Sequence, residues 1–92
     1  MPLERAIRTT VPADEAVILT PRAAPWSLSV SPGEGGTVAV AVTVSDPEDP
    51  GAVWHALDEA PLAAPTLYLF PGPVAGVRVT AADAVASAEL MA

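Results

Sequence analysis

Thr37-Val38-Ala39-Val40-Ala41-Val42-Thr43-Val44-Ser45 decides the fold. Val38, Val40, Val42 and Val44 share one face of an extended chain, while Thr, Ala and Ser occupy the other. That is a period of two, the signature of a half-buried strand. β-branched residues at this density favour a pleated strand and disfavour a helix. The valine face is expected to be buried against Leu67, Leu69, Val77 and Val79.

The same period extends in both directions. Trp26, Leu28 and Val30 alternate with Ser27, Ser29 and Ser31, and Ser31-Pro32-Gly33-Glu34-Gly35-Gly36 reads as a hairpin connection to the valine strand. Further on, Leu67 and Leu69 alternate with Thr66, Tyr68 and Phe70, and Pro71-Gly72-Pro73 breaks the run. Ala75, Val77 and Val79 alternate with Gly76, Arg78 and Thr80, and a final strand follows over Ala84–Met91. Upstream, Val17 and Leu19 face one way within 15–20. The segment after Asp49-Pro50 has two readings: a helix over Gly51–Ala60, with Pro at its first position, or a strand over Ala52–Leu57. We favour the strand, which antiparallel neighbours make easier to place. The expectation is an all-β protein. It is a single small antiparallel β-sandwich or barrel of about seven strands over residues 15–92, preceded by an extended N-terminal arm over residues 1–14.

Composition limits what such a domain does. The chain has 92 residues, 51% hydrophobic, with no Cys and one His. Disulfides and thiolate metal sites are therefore excluded, and no cofactor is expected. The apolar residues are mostly Ala and Val, with four aromatics: Trp26, Trp54, Tyr68 and Phe70. A small core of short side chains makes association with other copies a reasonable expectation. A net charge of −7 with only four Arg and no Lys argues against nucleic acid, whose phosphates need cations. No run of apolar residues approaches the ~18 of a membrane span, and the first dozen residues lack the apolar stretch of a secretory signal. A soluble protein made in the cytoplasm is expected, with no membrane partner.

Charge is unevenly distributed. Residues 1–13 carry Glu4, Arg5 and Arg8, whereas residues 14–92 carry ten carboxylates and two Arg. Within the arm Leu3, Ile7 and Val11 recur every four residues, and Pro2 and Pro12 oppose regular helix. The arm is expected to dock on another copy through these three anchors, with Arg5 and Arg8 meeting its carboxylates.

Catalytic constellations are nearly absent. His55 has Asp58 three residues on and Glu59 four, and on a helix Glu59 would share its face, a geometry that orients a base. A His beside Trp54 reads more simply as a surface or packing residue. Asp46-Pro47-Glu48-Asp49-Pro50-Gly51 lacks the ligand spacing of a calcium loop and reads as a solvated turn. Gly33-Glu34-Gly35-Gly36 lacks the Lys and helix of a phosphate loop. No enzyme is expected. Trp26, Trp54 and Tyr68 have two readings. They either form a sugar-stacking platform of a carbohydrate-binding or adhesin module or act as core fillers, and Trp26, in phase with Leu28 and Val30, favours the core. Tyr68 and Phe70, out of phase with Leu67 and Leu69, are expected to face another subunit.

The tail Phe70-Pro71-Gly72-Pro73-Val74-Ala75-Gly76-Val77-Arg78-Val79-Thr80-Ala81, a short turn and Ala84–Met91 resemble the ending of small virion proteins of tailed bacteriophages. The Gly36–Ser45 strand and mid-chain Trp54 also fit, so the likeness covers roughly Trp26 to Ala92. The resemblance implies a structural protein of the virion that decorates or cements the capsid, with a neck or tail position as the alternative. It also implies a homo-oligomer, first of all a trimer, contacting the major capsid protein or other virion proteins.

Overall fold

Each stretch in which apolar residues recur at every second position becomes a strand. The computed structural model describes residues 6–21 and 24–91, which contain eight strands and no helix. These are β1 (Ala6–Val11), β2 (Ala16–Leu19), β3 (Trp26–Ser31), β4 (Thr37–Thr43), β5 (His55–Ala56), β6 (Thr66–Phe70), β7 (Gly76–Ala82) and β8 (Ala86–Met91). They form two four-stranded antiparallel sheets, in the orders β1-β8-β3-β6 and β2-β7-β4-β5. The all-β sandwich expected from the sequence is the fold.

The pairing is nested. β1 pairs with β8, β2 with β7, β3 with β6 and β4 with β5, as though one long hairpin had been rolled up. Lateral pairs β3–β8 and β4–β7 close the roll into two layers. This is the strand order of an eight-stranded jelly roll. Leu28, Val30, Val38, Val77, Val79, Leu90 and Val11 fill the space between the sheets, all essentially inaccessible to solvent.

Four expectations need correction. Residues 6–11 are not a free arm: β1 is a sheet strand in register with β8 from Ala6↔Met91 to Val11↔Ala86, and Val11 is fully buried. Its alternation of Ile7, Thr9 and Val11 with Arg8 and Thr10 fits a strand better than the four-residue spacing of anchors. Leu3 and Arg5 lie outside the described residues. The sandwich therefore begins before residue 15, and the strand count is eight among the described residues.

Ser31–Gly36 is not a hairpin, because β3 and β4 belong to different sheets. The loop crosses between layers and packs on the β7–β8 connection. A Cβ on Gly36 would sit 2.7 Å from the Ala84 Cβ and 2.8 Å from the Ala82 carbonyl oxygen. Glycine here permits close approach of two loops rather than a tight two-strand turn.

The valine face is only half as long as its sequence pattern. Val38 and Val40 are buried, Val42 is half-buried and Val44 is exposed. Thr43 is instead fully buried. β4 runs out of the interlayer space at its end, and Thr43 lies opposite Gly76, which Pro47 and Trp54 cover. Over Ala52–Leu57 the chain follows the strand reading, but only His55 and Ala56 pair, with Val42 and Ala41.

The phase of β6 is inverted. Leu67 and Leu69 were expected in the core, yet they are exposed, while Tyr68 and Phe70 are partly buried against it. Register with β3 fixes this result. Trp26 lies opposite Phe70, and Leu28 opposite Tyr68. Directly opposed residues share a face, and Trp26 and Leu28 point inward.

Candidate interaction surface

The inversion of β6 gives the β1-β8-β3-β6 sheet a distinctive outer face. Register arranges its outward residues in rows across the strands. Met91, Ser27 and Leu69 form one row; Arg8, Glu89, Ser29 and Leu67 form the next; Thr10, Ser87 and Ser31 form the third. One side of the face is thus apolar and the other rich in hydroxyls. Leu67 is 62% exposed, Leu69 74% and Met91 52%, values that set them apart from the sealed core. Ser27 is short, and the gap between Met91 and Leu69 becomes a shallow apolar groove bounded by Pro25 and Pro71.

Beneath the groove the sheet is rigidly filled. Trp26 stacks flat on Phe70, and its indole N–H donates to the Gly72 carbonyl at 3.0 Å. The polar end of a buried Trp is thereby satisfied. Tyr68 packs tilted against Phe70, with centroids 6.3 Å apart, and its hydroxyl donates to the Asp58 carboxylate. Burial, then the hydrogen bond to Asp58 and its negative charge, pushes the phenol pKa well above its ordinary value. Asp58 is engaged with Tyr68.

Arg8 was expected to seek carboxylates on another copy. It instead pairs with Glu89 of its own chain, the residue directly opposite it on β8. Both side chains are solvent-accessible, and such a pair adds at most about 1 kcal/mol. Ile7 packs at the margin of the core. Of the expected contact residues, then, Ile7, Val11, Tyr68 and Phe70 serve the chain's own fold. Leu67, Leu69 and Met91 take the exposed role, and the signal in the sequence was Trp26: a partner strand with rings at alternate positions turns them toward that indole.

Trp26, Trp54 and Tyr68 do not meet on one face. Trp26 and Tyr68 belong to the inner side of one sheet. Trp54 lies over the outer face of the other, against Gly76 and with the Arg78 guanidinium 4.6 Å from its ring centroid. The acidic Asp46–Gly51 segment is a pair of side-chain-capped turns: Asp46 accepts from the Glu48 amide at 3.0 Å and Asp49 from the Gly51 amide at 2.8 Å. Among the described residues no helix is long and apolar enough to cross a membrane. No family model matches the chain, and no curated protein or solved structure matches it.

Proposed function

We propose that this chain is a non-enzymatic structural protein of a bacteriophage virion that decorates the capsid and stabilises it by binding protein surfaces. The observation that carries this reading is the outer face of the β1-β8-β3-β6 sheet, with Leu67, Leu69 and Met91 exposed on a framework of eight strands. Large apolar side chains clustered on a sheet face cost solubility unless something covers them. The jelly-roll strand order is one used by capsid domains, and the tail from Phe70 to Met91 carries the likeness to virion proteins. Display in many copies on a particle makes weak individual contacts sufficient.

Mass spectrometry of purified particles and of the lysate they came from tests the reading. The chain is expected in intact particles at many copies. Abundance in the lysate together with absence from particles would overturn it.

A further inference from the structure

Of the four sheet edges among the described residues, β6 is the longest without a charge. β1 carries Arg8; β2 has four residues bounded by Asp14-Glu15 and Pro21; β5 has two residues beside Asp58 and Glu59. Edge strands ordinarily carry charge, extreme shortness or a break that prevents pairing with another chain. β6 is Thr66-Leu67-Tyr68-Leu69-Phe70, uncharged, with Pro65 and Pro71 only at its ends. Its order is also symmetric about Tyr68, with a leucine on each side.

We propose that β6 pairs antiparallel with β6 of a second copy of this chain, about a twofold axis at Tyr68. Such pairing sets Leu67 opposite Leu69 of the partner subunit, and Leu69 opposite Leu67 of the partner subunit. Opposed side chains on one face lie ~4.5–5.5 Å apart, so four leucines close into one apolar cluster. The cluster continues the Met91–Leu69 groove of each copy, and the two sheets become one of eight strands. On the inner side the Tyr68 hydroxyl is already satisfied by Asp58, so apposition leaves no phenol unpaired.

A second copy fits better than an unrelated strand. Each chain carries −7, and identical acidic chains meet most easily along a strand without charge; β6 is such a strand, with the Asp58 carboxylate on the Tyr68 hydroxyl as the nearest negative group. An isologous contact also requires a self-complementary patch, which the Leu-Tyr-Leu order supplies. A closed trimer would instead need β6 to meet a different edge of the next copy. Five paired residues make a small interface, so the association is weak in isolation. Added salt strengthens it by screening repulsion between the acidic bodies.

This inference rests on the reading of the exposed leucine face as a protein-binding surface, and it is tested on the purified full chain, independently of particle content. Sedimentation from about micromolar to about millimolar concentration is expected to rise from one chain mass toward two, further at higher salt. L67K/L69K is expected to stay at one chain mass with an unchanged circular dichroism spectrum and melting transition, and Ile18→Lys, an exposed position on the β2 edge of the second sheet, to dimerise as the parent does. A mass of one chain throughout, a plateau at three chains, or a dimer that survives in folded L67K/L69K would each overturn the proposal. Should L67K/L69K not fold, L67C/L69C decides: oxidation is expected to yield covalent dimers linking position 67 to 69, and their absence overturns the pairing.

Discussion

The indole of Trp26 and the ring of Phe70 lie parallel, with centroids 4.1 Å apart and planes inclined by 3°. The two residues are opposite one another on β3 and β6. This stack fixes which face of β6 is interior, and hence which residues the protein offers to its surroundings. Stacked aromatic pairs contribute about 0.5–1.5 kcal/mol beyond the area they bury. Tyr68 follows Phe70 inward, and the leucines are left outside.

Phe70→Ala is therefore expected to destabilise the fold by about 2–4 kcal/mol, somewhat below the cost of truncating a fully buried ring. Leu69→Ala should change it by under about 0.5 kcal/mol, as for an exposed position. Urea denaturation of both variants checks the phase of the strand. A larger loss for Leu69→Ala would mean that the leucines are the buried set.

Removal of residues 1–13 is expected to abolish cooperative unfolding. The deletion takes away β1 and the fully buried Val11, and it uncovers the β8 edge. An accessory arm would be dispensable for folding; a sheet strand of a domain this small is not. Calorimetry of the truncated chain distinguishes the two.

Gly36→Ala should cost about 1–3 kcal/mol. The added methyl meets the Ala84 Cβ and the Ala82 carbonyl, and backbone at 2.8 Å has little room to yield. Gly72→Ala, where a Cβ meets nothing within 4 Å, is the matched control. The difference between their melting temperatures measures how tightly the two crossing loops are packed.

The chain has one Tyr and neither Lys nor Cys, so Tyr68 alone titrates among its side chains above about pH 9 until Arg does. Its pKa is raised in the folded state by burial and by Asp58. The unfolded chain then loses this proton near pH 10 while the folded chain keeps it. The contribution of Tyr68 to stability is fully present below about pH 10 and is lost as pH rises toward the folded-state pKa. Thermal melts across that range should show the decline, and Tyr68→Phe should flatten it. A phenolate absorbance change near pH 10 in the folded protein would contradict the assignment.

Local sequence determined that this chain forms strands, and nearly where. Val38 and Val40, Leu28 and Val30, Val77 and Val79 are interior because β-branched and apolar residues at alternate positions have one way to leave water. The shortage of cations and the absence of Cys likewise belong to the sequence alone. Pairing partners do not, since a period of two is common to every strand and names no neighbour. Tertiary structure made Ala6–Val11 a strand by supplying β8, sent Gly33–Gly36 across the layers, and buried Thr43 opposite Gly76, against which Pro47 and Trp54 pack. It also chose the rings of β6 over its leucines. Both faces of Thr66–Phe70 are apolar enough to be buried, and such a strand takes its phase from the neighbour it meets, here Trp26.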